Sequence, residues 1–165
     1  MKKFELTSES IVKFGKTLYR IRALVAFGDV KEGELGGFLE KEENLSQDGD
    51  AWVCENATVS GDATVCGNAI VRGDATVSGD AWVFKTSHYL VIGPMGSRNG
   101  FTTFFRTKNL FIGVSCGCFR GNVDEFIKKV KETHGDNKHA KTYLTAAELA
   151  KMQIDLTPEE DDPEE

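Results

Sequence analysis

The sequence contains no apolar run that approaches the roughly 18 residues needed to cross a membrane as a helix. The N-terminus, MKKFELTSES, lacks the apolar core of a secretory signal, so we expect no leader peptide. The body of the chain has no basic stripe and the net charge is −6, which argues against binding to duplex DNA. Four cysteines without a secretory signal are typical of reduced thiols, so we predict a cytoplasmic protein.

Instead, the sequence has a six-residue period between residues 50 and 83. The run reads GDAWVC, ENATVS, GDATVC, GNAIVR, GDATVS and GDAWVF. Alanine and valine two positions apart lie on the same side of an extended strand, and the Gly-Asp or Gly-Asn pair favours a bend. Each hexapeptide therefore predicts a short strand and a corner, and three of them predict one triangular turn of a β-helix, about 18 residues long.

The same period predicts which side chains face inward. The valine and alanine of every repeat should fill the interior, with residues one turn apart stacked on each other. Trp52, Ile70 and Trp82 lie between the alanine and the valine, where a side chain should face outward. Because exposed side chains of this size usually mark an interface, we predict a homo-oligomer formed through these three residues.

The repeat extends upstream in a degenerate form. Leu39 and Leu45 are six residues apart, and Val53 follows after a two-residue slip at Gln47-Asp48. Alternation in residues 18–27 predicts a strand that caps the open end of the stack. The predicted units are an N-terminal strand and cap over residues 1–29 and a β-helix over residues 30–85.

Residues 86–154 predict a separate, small α+β domain. Strand patterns, which indicate a three-stranded antiparallel meander, fall at residues 88–92, 101–107 and 110–118. Asn122, with Glu125 three residues later, predicts a capping box and a first helix. A second helical stretch covers residues 136–154, and the alternative is a separate helix that restarts at a second capping signal, Thr145. The fold class is thus mainly β, a short β-helix followed by a meander with two helices.

Residues 155–165 end in EEDDPEE, which contains six acids and one proline. This composition predicts a disordered, solvated tail, and mimicry of a nucleic acid is the alternative.

The glycine-rich stretch GPMGSRNG, residues 93–100, is the predicted ligand site. Glycine lets the backbone approach a ligand closely, and free N–H groups can bind an anion. Arg98 adds a bidentate fork for phosphate or carboxylate, and Ser97 adds a hydroxyl. The alternative is an ordinary hairpin connection, since neither GxxxxGK[ST] nor GxGxxG is present. The predicted ligand-binding residues are Ser97, Arg98, Thr102, Thr103, Lys141 and Tyr143.

The cysteine and histidine spacings do not favour a metal. Cys116 and Cys118 are separated by one residue, whereas zinc knuckles usually have two to four. Two cysteines on one strand face are more simply small buried residues. His134 and His139 flank the junction between the predicted helices, where a helix-terminal cation and a surface residue are expected. We predict no metal site and no cofactor.

The runs of GDAxVxGDAxV resemble hexapeptide-repeat proteins of the left-handed β-helix class, which include many acyltransferases. Two longer strings resemble small hexapeptide-repeat proteins of bacteriophages and prophages, and they cover nearly the whole chain. The strings are LYRIRALVAFGDVKEGELGGFLEKEENLSQDGDAWV and SRNGFTTFFRT…VSCGCFRGNVDEFIKKVKETHGDNKHAK. The resemblance implies a β-helix fold, a trimer and the cytoplasm of a host cell.

We therefore expect a non-catalytic binding protein, whose β-helix assembles protomers and whose C-terminal domain binds a small anionic ligand or a host protein. The phage resemblance implies a role against host defence, for example by sequestering a signalling nucleotide. An acyltransferase is the alternative from another class, but it needs a general base, and His88, His134 and His139 all lie outside the repeats. A purely structural oligomeric spacer is the third candidate.

Overall fold

Residues 1–160, which the computed structural model describes, form thirteen β-strands and two α-helices, so the fold is mainly β. The N-terminal half contains β1 (Phe4–Lys13), β2 (Lys16–Ala23), β3 (Leu35–Leu39), β4 (Trp52–Val53), β5 (Thr58–Val59), β6 (Thr64–Val65), β7 (Ile70–Val71), β8 (Thr76–Val77) and β9 (Trp82–Val83). The C-terminal half contains β10 (Tyr89–Met95), β11 (Gly100–Arg106), β12 (Ile112–Cys116), β13 (Phe119–Asn122), α1 (Val123–His134) and α2 (Lys138–Gln153). Within these residues, neither α-helix combines the length and the apolar character needed to cross a membrane.

The repeat forms parallel ladders between strands one 18-residue turn apart. β4 pairs with β7, β5 with β8 and β6 with β9, and Val53 lies beside Val71 as a typical rung. The predicted stacking offset and the inward direction of the valines are confirmed. The six valines, all fully buried, are Val53, Val59, Val65, Val71, Val77 and Val83.

The first turn is two residues longer than the others, as the slip at Gln47-Asp48 predicted. Leu39 pairs in parallel with Val59, and Leu45 forms a parallel bridge to Val65, in each case with the residue twenty positions on. The degenerate upstream repeat therefore joins the ladders.

The N-terminal segment is a hairpin, whereas the sequence predicted one capping strand in residues 18–27. β1 and β2 pair antiparallel, β2 continues antiparallel onto β3, and β3 pairs with β5. The result is a five-stranded sheet in the order β1-β2-β3-β5-β8, which we call the long wall. Gln47, one of the two extra residues, anchors the hairpin because its Oε1 accepts hydrogen bonds from Lys3 N at 2.7 Å and Phe4 N at 3.3 Å.

The prediction that Trp52 faces outward toward another protomer is wrong. Its side chain is only 2% exposed. Phe4 and Phe27 pack edge-on against the indole ring, with ring centroids 6.5 and 5.4 Å away. The N-terminal segment of the same chain therefore covers this face of the stack.

The other two predicted interface residues are partly buried. Ile70 lies beside Trp52 as expected, but its backbone N–H donates to Thr86 Oγ1 at 3.0 Å and its carbonyl accepts from the Tyr89 hydroxyl at 2.9 Å. Trp82 lies on the β6–β9 ladder, beside Thr64. An oligomer through Ile70 and Trp82 stays a prediction.

The C-terminal sheet has four antiparallel strands rather than the predicted three, in the order β10-β11-β12-β13. Asn122 caps α1 as predicted, because its Oδ1 accepts from Glu125 N at 2.8 Å. The two predicted helices are confirmed, and α2 starts after Asn137 and runs without a break through Thr145, so the alternative restart does not form. Both helices pack on one face of the sheet around Phe104 and Phe126.

The C-terminal sheet docks on the long wall at β8. Thr76 N donates to Thr103 Oγ1 at 2.8 Å, and the hydroxyls of Ser78 and Ser115 are 2.9 Å apart. Phe105 from β11 is buried in the same core as the repeat valines. The two halves therefore share a packed and hydrogen-bonded junction.

Residues 155–160 contact the fold, although the sequence predicted a disordered tail from residue 155. Arg106 Nη2 donates to the carbonyl of Thr157 at 3.2 Å, and Lys85 Nζ lies 2.6 Å from Glu159 Oε1. Residues 161–165, the rest of the predicted tail, lie outside the described residues.

Lys3 is buried at the start of the stack. Its Nζ donates to the carbonyl oxygens of Ala51 at 2.8 Å and Gly49 at 3.2 Å, and it lies 4.7 Å from the centre of the Phe27 ring. Burial lowers the pKa of Lys3 to about 8, although nearby aspartates oppose the shift. The charged form of Lys3 is therefore less stable in the folded protein than in the unfolded chain.

The stability contributed by Lys3 is expected to increase with pH. Below about pH 8 the lysine is protonated in both the folded and the unfolded chain, so its contribution is constant. From about 8 to its ordinary pKa of 10.5, the unfolded chain binds more protons, so the free energy of unfolding rises. Urea unfolding across this range should show a larger rise in the wild type and in the exposed control Lys2→Met than in Lys3→Met, where the lowered pKa of Lys13 still contributes. Equal pH dependence in all three proteins would contradict the assignment.

Candidate functional site

A groove with a volume of about 740 Å³ lies where the hairpin tip, the long wall and the C-terminal sheet meet. This volume falls within the range of about 300–1,000 Å³ that small-molecule sites occupy. Its lining includes Lys13 and Phe14 of the hairpin, the hydroxyls of Thr58, Thr76 and Ser78 on the long wall, and Arg120 of β13. We call this cavity the groove.

Lys13 and Arg120 bring two positive charges to the groove. Lys13 Nζ donates to Thr76 Oγ1 at 2.9 Å, and Arg120 Nη1 donates to the carbonyl oxygens of Gly117 and Phe119 at 2.8 and 2.6 Å. Within residues 1–160, neither cation forms an ion pair with a carboxylate. By contrast, the neighbouring Lys16 is paired, with its Nζ 3.3 Å from Glu40 Oε2.

The positive charge of Arg120 destabilises the charged form of Lys13. Burial lowers the pKa of Lys13, the positive charge of Arg120 lowers it further, and Asp74 partly opposes the shift. Burial also lowers the pKa of Arg120. An anion bound between these groups would favour both charged forms, since an opposite charge at close range stabilises a partly buried ion.

Phe14 lies at the tip of the hairpin in an uncommon backbone conformation. Its φ is 52° and that of Gly15 is 76°, and positive φ at both central residues is typical of a type I′ turn. Bulky non-glycine residues rarely adopt this region, and such strain tends to occur at functional sites. The conformation places the Phe14 ring 4.4 Å from Arg120 Cζ and 5.8 Å from Lys13 Nζ.

A smaller cavity of about 280 Å³ adjoins the groove and shares Lys13, Phe14, Thr76 and Arg120 with it. The two cations therefore lie where the cavities meet. A ligand longer than a single phosphate has room on either side of them.

The glycine-rich loop that the sequence predicted as the site is not part of the groove. Ser97 and Arg98 are exposed on the turn between β10 and β11 and do not line the groove. Thr102 and Thr103 are buried: the hydroxyl of Thr102 donates to Cys116 Sγ at 3.2 Å, and Thr103 accepts from the backbone of Thr76. These two threonines hold the fold together.

The two α2 residues predicted to close the loop site do not line the groove. Lys141 is exposed on α2, and Tyr143 packs against Gly96, where the space for a Cβ is filled by the tyrosine hydroxyl. Burial raises the pKa of Tyr143, and the adjacent Cys116 raises it further. Tyr143 therefore acts as packing between α2 and the loop.

A second groove, of about 830 Å³, is lined by Glu42, Glu43 and Asp48 together with Trp82 and Phe84. It contains no lysine or arginine in its described lining, so its charge disfavours an anion. Its size alone does not make it the better candidate for the predicted anionic ligand.

The cysteines and histidines lie outside the groove. Cys118 is exposed in the turn before β13, so the prediction that both Cys116 and Cys118 are buried is wrong. His88 is fully buried, and His134 and His139 lie together on the helices with ring centroids 5.6 Å apart. Within residues 1–160, no group of His, Cys, Asp or Glu side chains could hold a metal ion.

Sequence reasoning missed Lys13, Phe14 and Arg120. One local signal was available, because Lys-Phe-Gly-Lys at residues 13–16 places an aromatic between two lysines at a glycine turn. Arg120 carries no comparable signal, and it joins the hairpin tip only through the tertiary fold.

No protein-family model matches the chain, and no curated protein matches it in sequence. The resemblance to hexapeptide-repeat proteins of phages therefore stays a prediction.

Proposed function

We propose that the protein is a non-catalytic binding protein, in which a short β-helix and the N-terminal hairpin present the groove to a small anionic ligand. The parallel ladders at an 18-residue offset support the β-helix. The observation that carries the function is the pair of half-buried Lys13 and exposed Arg120, two cations that line one cavity without a carboxylate partner in the described chain. The Thr76 hydroxyl, which accepts from Lys13 Nζ, would supply a neutral donor to the same anion.

Arg120→Gln is expected to weaken binding of pyrophosphate by about tenfold to a hundredfold. Charge-assisted hydrogen bonds contribute about 1.5–3 kcal/mol each, and glutamine keeps a donor while losing the charge. Isothermal titration calorimetry measures the change, with circular dichroism as a check on folding. The matched control is Arg98→Gln, since Arg98 is exposed and lies outside the groove.

The same pair of variants separates the groove from the loop at residues 93–100. If Arg98→Gln loses pyrophosphate binding and Arg120→Gln keeps it, the loop is the site and the groove is not. If the wild type does not bind pyrophosphate, the proposed function fails.

An acyltransferase is the alternative function. No histidine is among the described residues that line the groove, so the reaction would need a carboxylate such as Asp80 as its base. The two cations without a carboxylate partner in the described chain support anion binding over catalysis.

The purpose that we propose for such binding is interference with a host cell, and it depends on the resemblance to phage proteins. Assembly into a trimer is a separate proposal that depends on Ile70 and Trp82, since Trp52 is covered within its own chain. Light scattering on the purified protein would test assembly, and a monomer at micromolar concentration would contradict it.

A further inference from the structure

A turn of the C-terminal sheet holds an aromatic ring beside the last repeat. Thr107 N donates to the carbonyl of Phe111 at 3.0 Å, and Lys108 N donates to the carbonyl of Asp80 at 3.0 Å. Ala81 also forms an antiparallel bridge with Thr107. The turn therefore fixes Phe111 relative to Asp80, and both residues line the groove.

Phe111 and Asp80 belong to the part of the groove that the smaller cavity does not share. Phe111 is 38% exposed although it is a large apolar side chain. An exposed ring on the wall of a polar cavity offers a stacking surface for a planar group. The groove thus combines a basic part, at Lys13 and Arg120, with an aromatic part.

Asp80 differs from the other carboxylates that line the groove. Asp62 Oδ1 lies 3.2 Å from Lys41 Nζ, and Glu125 Oε1 accepts from Asn122 N in the helix cap at 3.5 Å. The side chain of Asp80 has neither an ion pair nor a hydrogen bond within residues 1–160. Both of its oxygens can accept hydrogen bonds from a ligand.

We propose that the anionic ligand is a guanine nucleotide, an inference that rests on the proposed function. Its phosphate binds Lys13 and Arg120, its base stacks on Phe111, and Asp80 accepts hydrogen bonds from the base. A carboxylate can only accept, so it favours an edge that presents two adjacent donors. Guanine presents the N1–H and N2–H donors side by side.

The other common bases fit this carboxylate less well. Adenine and cytosine each place a ring nitrogen acceptor next to the amino donor, and that lone pair would oppose the second carboxylate oxygen. Uracil offers one N–H between two carbonyl oxygens. A guanine base is the one whose donor pattern complements Asp80 without a proton change.

Calorimetric titration with GMP, AMP and ribose 5-phosphate tests the inference. GMP should bind about tenfold or more tightly than AMP, as expected for a bidentate contact. Asp80→Asn should reduce GMP affinity by about tenfold and change ribose 5-phosphate affinity by less than about twofold. The matched control is Asp62→Asn, which alters another carboxylate of the groove that is already paired with Lys41.

The outcomes separate this inference from the proposed function. Equal affinity for GMP and ribose 5-phosphate, with both lost in Arg120→Gln, would overturn the guanine assignment and keep the anion site. GMP binding that is equally tight in Asp80→Asn and wild type would also overturn it. Absence of binding to all three compounds and to pyrophosphate would overturn both.

Discussion

Trp52→Ala is expected to lower the free energy of unfolding by about 3–5 kcal/mol, the usual cost of truncating a large buried aromatic side chain. The indole lies between the hairpin and the first turn of the stack, where Phe4 and Phe27 pack against it. Its Nε1 has no hydrogen-bond partner within the described residues, so the loss is one of packing. Urea denaturation followed by far-ultraviolet circular dichroism measures the change.

Trp82→Ala is the matched control for this prediction. Trp82 occupies the same position of the repeat but is partly exposed, so its removal should cost less than that of Trp52. Light scattering on both variants distinguishes packing from assembly. A Trp52→Ala protein that kept its stability but lost an oligomeric state would contradict the burial of Trp52.

Gly36→Ala is expected to lower the free energy of unfolding by about 3 kcal/mol, the upper end of the range for overpacking a core. A Cβ on Gly36 would overlap the carbonyl oxygen of Val53 and lie 2.6 Å from Ile21 Cγ1 and 2.7 Å from Trp52 Cζ2. The backbone at Val53 cannot move freely, because it is paired with Val71 in the next turn. The long wall and the β4–β7 ladder would therefore have to separate.

Gly100→Ala provides the control for the same chemical change. No atom lies within 4 Å of a Cβ at Gly100, and its φ is not positive. Its free energy of unfolding should therefore change by less than about 0.5 kcal/mol. Similar thermal or urea midpoints for Gly36→Ala and Gly100→Ala would contradict this prediction, because they would show that a methyl group fits between β3 and the stack at Gly36.

The repeat could be predicted from the sequence because its information is local. The spacing of the valines determines both their inward direction and the 18-residue offset, and both are confirmed. The slip at Gln47-Asp48 was also visible, since it interrupts an otherwise regular period. The capping box at Asn122 is local in the same way, and it is confirmed.

Features formed by distant segments could not be predicted in this way. The hexapeptide pattern makes Trp52 an outward residue of the stack, but only the fold brings Phe4 and Phe27 over it. β1 was missed because half of its residues are exposed and the strand carries little apolar alternation. β13 was missed because it is four residues long and contains Gly121.

The candidate site follows the same rule. The predicted loop was chosen for its glycines and Arg98, which are local signals of an anion site. The groove takes Lys13 from the hairpin, Asp80 from the last repeat and Arg120 from β13, so no single window of the sequence contains it. Thr103 shows the opposite error. It was predicted to bind the ligand, but its hydroxyl accepts a hydrogen bond from Thr76 N and joins the C-terminal sheet to the long wall.

The groove exists because the hairpin and the C-terminal sheet attach to the same wall, one at β3 and the other at β8. The number of hexapeptides between these two strands therefore sets the angle, around the axis of the stack, between the hairpin and the C-terminal sheet. Insertion of three hexapeptides would keep that angle and lengthen the groove by one strand spacing, about 4.8 Å. Insertion of one would rotate the sheet to the next ladder and carry Arg120 away from Lys13. The count of repeats, taken in threes, would therefore decide whether Lys13 and Arg120 line the same groove.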